Sequence, residues 1–279
     1  MLGIFDSGVG GLSIWREIVA VLPEASIVYL ADQAFVPYGE RAPEQVRERA
    51  LRAAEWLLGR GCRLIVVACN TASAVALDAL RAQFPSASFI GTEPAVKPAA
   101  QGSQTGVIAV LATHNTLRSQ RYAGLVNRWG QGVRVIAQPC PEWVDAVEHL
   151  AVYQRAPHFL TRRVTPCIWP LLEQRADALV LGCTHFPFLR PWIDQAIAAW
   201  RAAHVDAQAV AVFDPAPAIA RRAHHLWSTQ VAAASTKSDG PVPAEAQRYE
   251  FWTTHDPATF ATTASALLNQ SVDARQLAL

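Results

Sequence analysis

The sequence predicts an α/β fold: two pseudo-symmetric α/β lobes with mainly parallel sheets facing a shared cleft. Two observations predict it. Short apolar runs of strand length alternate with segments of helical period through most of the 279 residues, which is the pattern of βαβ units. In addition, Leu64-Ile65-Val66-Val67-Ala68-Cys69-Asn70-Thr71 is echoed by Ala178-Leu179-Val180-Leu181-Gly182-Cys183-Thr184-His185. Each copy is a buried-strand run ending in a small residue, then Cys, then polar residues that open a helix.

Taken in order, Leu2–Phe5, Ile27–Ala31, Leu64–Ala68 and Phe89–Ile90 read as strands. Gly11–Leu22, Pro43–Leu58 and Ala72–Phe84 read as helices. Within the second helix Val46, Ala50, Ala53 and Leu57 fall at i, i+4, i+7 and i+11, one face of a helix. A second series follows, with strands at Val107–Leu111, Val133–Ile136 and Ala178–Leu181 and helices at Thr116–Arg128, Pro157–Arg175 and Pro191–Ala203. Ala209–Phe213 and Tyr249–Thr253 read as further strands, Ala216–Trp227 and Pro257–Leu268 as helices, and the last residues as frayed. Ser228–Gln247 is rich in Ser, Ala, Pro and Gly and reads as a flexible loop. The expected division is 1–94 plus 208–279 for the first lobe, with the C-terminal segment returning to it, and 95–207 for the second.

Composition narrows the function classes. A net charge of +1, from 24 basic and 23 acidic residues, gives no support for a nucleic-acid or acidic-membrane partner. No apolar run approaches the roughly 20 residues of a membrane span, and no secretory signal is visible, so a soluble cytoplasmic protein is expected. The five cysteines, Cys62, Cys69, Cys140, Cys167 and Cys183, are scattered without a C-x-x-C pair, which disfavours a zinc ribbon, a thiol redox motif or a disulfide framework. The only lysines are Lys97 and Lys237. Neither setting suits the Schiff base of a pyridoxal enzyme, so no cofactor and no metal are expected. The adjacent His224 and His225 cannot share a helix face as metal ligands would.

The repeat carries the chemistry. A Cys at the carboxyl end of a strand and beneath a helix N-terminus lies where ligands bind in open α/β sheets, and the helix end lowers the pKa of such a thiol. Two such thiols, Cys69 and Cys183, can face one another if the lobes do. Two acid/base groups on opposite faces of one carbon can remove a proton from one side and return one to the other. Cys62, Cys140 and Cys167 lack that setting and read as structural. Asp6-Ser7-Gly8-Val9-Gly10-Gly11 suits a tight turn with exposed N–H groups, an anion site better matched to a carboxylate than to a nucleotide. Asp6 is either a structural cap or the proton partner of a nearby thiol. Tyr38 can equally be a packing residue, His114 reads as a loop residue, and tryptophans such as Trp15, Trp56 and Trp200 read as core or interface.

Six segments in order, Asp6 to Ser13, Ala31-Asp32 through Pro37-Tyr38-Gly39-Glu40, Ala68 to Ser73, Glu93-Pro94-Ala95, Ala112-Thr113 with Thr116, and Gly182 to Pro187, strongly resemble the cofactor-independent glutamate racemases of the aspartate/glutamate racemase family. The Phe251 to Pro257 segment extends the resemblance over nearly the whole chain. It implies interconversion of L- and D-glutamate, supplying the D-form for peptidoglycan. It implies Cys69 and Cys183 as the acid/base pair, the first serving the D-enantiomer and the second the L-enantiomer. Asp6 would assist Cys69, and His185 and Glu148 would assist Cys183. Asp6, Ser7, Tyr38, Gly39, Asn70, Thr71, Thr113, Thr116, Thr184 and His185 would bind substrate. A homodimer is among the expectations, and glutamate is the only small-molecule partner implied. Departures from the family pattern are Val144-Asp145-Ala146-Val147 before Glu148, Asp214-Pro215-Ala216 in place of a more usual Asp-Ser, and the long 228–247 stretch. Related readings are a racemase of the same fold for aspartate or a hydantoin, and a binding protein on this scaffold.

Overall fold

The computed structural model describes residues 1–153, 157–235 and 248–279. The chain opens with β1 (Leu2–Asp6), α1 (Leu12–Val21), β2 (Ile27–Ala31), α2 (Pro43–Gly59), β3 (Leu64–Val67), α3 (Asn70–Gln83) and β4 (Ser88–Gly91). Every residue of β1, β2 and β3 is buried, as parallel strands covered on both faces require. The helical face read from the sequence is the buried one, with Val46, Ala50, Ala53 and Leu57 all in the core beneath α2.

The second series is α4 (Val96–Gly102), β5 (Val107–Ala112), α5 (His114–Arg118), α6 (Gln120–Trp129), β6 (Arg134–Pro139), α7 (Glu142–Glu148), α8 (Leu150–Tyr153), α9 (Pro157–Glu173), β7 (Ala178–Leu181), α10 (Arg190–Ala203) and β8 (Ala211–Phe213). The single helix expected over Thr116–Arg128 is two. Ser119 takes an extended conformation and its hydroxyl accepts the Tyr122 N–H, so a capping residue restarts the helix inside an unbroken polar pattern. His114, read as a loop residue, is the first residue of α5.

The chain ends with α11 (Ala216–Ser235), β9 (Tyr249–Thr253), α12 (Pro257–Leu268) and β10 (Ala274–Gln276). Three expectations are corrected here. The second lobe does not end at 207, because β8 pairs parallel with β7, and the chain returns only when α11 packs on α1. Residues 228–235, expected as the start of a flexible loop, continue α11 to Ser235 instead; the rest of that stretch and Lys237 lie outside the described residues. The tail is not frayed, because β10 adds a parallel edge strand to β9 and the Leu279 carbonyl accepts from Arg49 Nη1 at 2.8 Å.

The two sheets have orders β10-β9-β2-β1-β3-β4 and β6-β5-β7-β8, parallel at every pairing. Residues β2-β1-β3-β4 and β6-β5-β7-β8 repeat one topology. In each, the chain leaves its first strand to one side and comes back on the other, so the switch points lie between β1 and β3 and between β5 and β7. Ligands bind beyond the carboxyl ends of strands at such points. Asp6 and Cys69 end or follow one pair of strands, and Thr113 and Cys183 follow the other. One apolar cluster joins the lobes, from Leu2 and Ile4 through Leu111 and Leu181 to Trp143, which meets Phe186 edge-on at 4.9 Å. No helix among the described residues is long and apolar enough to cross a membrane.

Candidate active site

Both switch points open on one cavity. Cys69, Asn70, Thr71, Ser7, Tyr38 and Gly39 line it from the first lobe, and Thr113, Cys183, Thr184 and His185 from the second. Pro37 and Val144, which the sequence did not single out, complete the wall. Three expected site residues stand behind it: Asp6, Thr116 and Glu148. Space for a water-sized body inside is only about 10 Å³, about one water.

Cys69 is the N-cap of α3, its Sγ accepting the Ala72 N–H at 3.4 Å. The expected lowering of its pKa does not follow. Burial pushes this thiol up to about 12, helped by the Asp6 carboxylate, and the helix N–H only moderates the rise. Asp6 is the cap of the glycine turn and a neighbour of Cys69 at once. Its Oδ1 accepts the Gly8 N–H at 3.0 Å and its Oδ2 the Thr184 hydroxyl at 3.0 Å. Burial raises the Asp6 pKa despite the opposing charge of His185.

Across the cavity Cys183 Sγ lies 3.7 Å from His185 Nδ1, and His185 Nε2 donates to Glu148 Oε1 at 2.7 Å. Burial alone would lower the His185 pKa, but its bonds to Cys183 and Glu148 win, and it is held well above the ordinary imidazole range. Glu148 Oε1 also accepts the Val9 N–H at 2.9 Å, and Oε2 accepts from Gln33 Nε2 at 2.8 Å. The glycine turn therefore offers Gly8 and Val9 N–H groups to protein carboxylates, not to a bound anion as its pattern suggested.

Groups suited to a polar ligand lie elsewhere in the wall. Neither amide atom of Asn70 has a partner, though both are buried; such atoms are costly unless something fills their bonds. The hydroxyls of Thr71, Thr113 and Thr116 form a triangle with edges of 3.0, 3.3 and 3.1 Å that joins the lobes. Asn115 Nδ2 donates to the carbonyls of Tyr38 and Arg41, a further bridge. Among the described residues no lysine or arginine lines the cavity; Lys97 Nζ sits 4.1 Å over the Trp129 ring.

Tyr38 does more than pack. Its ring faces the cavity while its hydroxyl donates to Asp32 Oδ2 at 2.6 Å. Asp32 is clamped by Arg49 through both oxygens at 2.6 and 2.8 Å, and accepts the Thr254 hydroxyl. Arg49→Leu is expected to destabilise the fold by about 3 kcal/mol, because it leaves one charge of a buried pair uncompensated. The denaturant midpoint at constant slope reads this, and an unmoved midpoint would contradict it.

Cys62 lies in the first-lobe core. Cys140 and Cys167 lie against each other, burial raising the Cys140 pKa, and none of the three lines the cavity. Trp15 and Trp200 are core residues, and Trp56 packs edge-on against Trp252. Among the described residues no cluster of His, Cys, Asp and Glu could hold a metal ion.

Residues 10–223 match the model of the Asp/Glu/Hydantoin racemase family. The chain belongs to that family. This racemase-family chain is 41% identical to the glutamate racemase of Pseudomonas aeruginosa strain PAO1 over 256 residues, 92% of this chain and 89% of that one. With the glutamate racemase of Pseudomonas putida strain W619 it shares 40% identity over 100% of this chain and 97% of that one. Among solved structures, the glutamate racemase isoform RacE1 of Bacillus anthracis superposes with a TM-score of 0.79 at 28% identity, covering 100% of this chain and 97% of that one. The Escherichia coli glutamate racemase in complex with L-glutamate and the activator UDP-MurNAc-ala superposes with a TM-score of 0.78 at 30% identity, covering 96% and 94%.

Proposed function

We propose that this chain is a glutamate racemase that interconverts L- and D-glutamate by proton transfer at Cα between Cys69 and Cys183, supplying D-glutamate for peptidoglycan. The single observation that carries the reading is that two cysteines from equivalent places in two lobes line one cavity. Similarity to proteins named glutamate racemase, at about 40% identity over nearly the whole chain, supports glutamate as substrate.

In this reading one sulfur takes the Cα proton as thiolate and the other delivers a proton to the opposite face as thiol. No atom is gained or lost, and the two thiols exchange protonation states. Cys183 serves the L-enantiomer and Cys69 the D-enantiomer. The two thiols have different surroundings: burial beside Asp6 holds Cys69 as a neutral thiol, whereas Cys183 faces a His185 held cationic. Ser7, Asn70, Thr71, Thr113 and Thr184, with the Gly39 backbone, orient the amino group and carboxylates, backed by Thr116. The cavity as it stands is too small for an amino acid, so the lobes part to admit substrate and close to exclude water. A closed, dry site strengthens every dipole aimed at the developing carbanion.

In D₂O, L-glutamate incubated with the protein is expected to give D-glutamate carrying deuterium at Cα, with no uptake into aspartate. Uptake into aspartate or a hydantoin alone would move the substrate within the family. Uptake into none of them would refute racemisation and leave a binding protein.

A further inference from the structure

We propose that Gln33, set by Thr253, is a positioning residue that fixes the carboxylate of Glu148 and, through it, the His185 imidazole facing Cys183. The inference rests on the reading of Cys183 as one of the two proton-transfer groups, and gives a role to residues to which the resemblance assigns none.

Gln33 follows Asp32 in the short turn after β2, in the first lobe, while Glu148 ends α7 in the second. Both are buried, and Thr253 at the end of β9 is fully so. The bonds run in one direction only. The His255 N–H donates to Thr253 Oγ1 at 3.2 Å, and the Thr253 hydroxyl donates to Gln33 Oε1 at 3.0 Å. Gln33 Nε2 then donates to Glu148 Oε2 at 2.8 Å. A backbone N–H can only donate, so it turns the Thr253 proton onto Gln33. That fixes which end of the amide is oxygen and aims the NH₂ at Glu148. An ionised carboxylate accepts such a donor more strongly than a protonated carboxyl group does. The other oxygen of Glu148 is then free for Val9 N–H and His185 Nε2.

The consequence falls first on one sulfur. With the Gln33 donor gone, the Glu148–His185 ion pair loses support against its neutral form, in which the carboxyl holds the proton and the imidazole is uncharged. Cys183 then loses a facing cation. Other titratable groups near this chain of bonds are Asp6 at the end of β1, Tyr29 on β2, Cys69 across the cavity and Cys140 before α7. The side-chain amide of Gln33 is bonded to Glu148 and Thr253, so its removal acts on Cys183 through Glu148 and His185, and reaches Cys69 only through the charges of Cys183 and Asp6.

The test is the pH profile of iodoacetamide alkylation, read at Cys183 and Cys69 separately by peptide mass spectrometry on the full chain. Gln33→Leu is expected to move the Cys183 midpoint up by about one pH unit, an alkylation rate about tenfold lower near neutrality, with a clearly smaller change in the Cys69 profile. Thr253→Val, which frees the amide to rotate, should shift Cys183 in the same direction, and Thr253→Ser, which keeps the hydroxyl, should restore the wild-type profile. An unmoved Cys183 profile in a folded Gln33→Leu or Thr253→Val protein overturns the proposal, as does an equal shift at Cys69. The readout needs no turnover, so absence of Cα exchange in the wild-type protein would count against the racemase reading alone.

Discussion

Cys69→Ala and Cys183→Ala are each expected to lower glutamate racemisation by at least about a thousandfold, from either enantiomer, with the fold intact. A positioned acid or base contributes about 10²–10⁴ in rate, and here the missing group also leaves a proton with no donor on one face. The loss has a constraint that makes it a sharp test. Enantiomers have equal free energy, so the equilibrium constant is one, and kcat/KM must be the same in both directions for any variant. Removing either sulfur therefore depresses both directions together, even though in the two-thiol reading each sulfur serves one face. What differs is exchange: a variant lacking one thiol can still wash the Cα proton of one enantiomer into solvent without inverting it. Following optical rotation and deuterium uptake in parallel reads both. A variant of either residue that racemises at the wild-type rate would defeat the assignment of two thiols to one carbon. Neither change should cost much stability, since each removes one sulfur from a residue at the cavity wall.

Much of this site was legible in the sequence because its two halves are copies. A strand run ending in a small residue, then Cys, marks the carboxyl end of a buried parallel strand, and the switch points between β1 and β3 and between β5 and β7 place those ends together. The core face of α2 was readable for the same kind of reason: a period of 3.6 is a local property. What escaped depends on long-range contacts. The third strand pairing of the second sheet, β7 with β8, lies beyond the expected lobe boundary because nothing local in Ala211–Phe213 says which sheet it joins. β10 is three residues long and half exposed, too short for a periodic signal. The state of Cys69 was misjudged because the helix end is visible in sequence whereas the depth of burial, which dominates its pKa, is not. Gln33, Thr253 and Arg49 sit on three different elements and meet their partners only in the folded chain.

Gly8→Ala is the second substitution expected to have a large effect, and it shows why the turn after β1 is rich in glycine. Among the described residues Gly8 is not one of the glycines with positive φ, which are Gly61, Gly106 and Gly132, so backbone freedom is not the reason. Space is the reason. A Cβ on Gly8 would lie 1.9 Å from Glu148 Oε1 and 2.8 Å from its Cδ, and a Cβ on Gly10 would lie 2.3 Å from His185 Nδ1. The two glycines are the floor on which the Glu148–His185 pair rests. Glu148 cannot yield easily, because three donors hold its carboxylate. Displacement by more than an ångström would break the 2.7 Å bond to His185 and turn the imidazole away from Cys183. A misplacement of that size costs about a hundredfold in rate, and overpacking adds about 1–3 kcal/mol of instability. The measurement is kcat/KM with thermal unfolding on Gly8→Ala, beside Gly8→Ala/Glu148→Asp, in which the shorter acid makes room for the methyl. The double variant should regain stability without regaining full activity. Wild-type activity in Gly8→Ala would mean that Glu148 can leave its place without consequence, and that the Glu148–His185–Cys183 line is not part of the proton path.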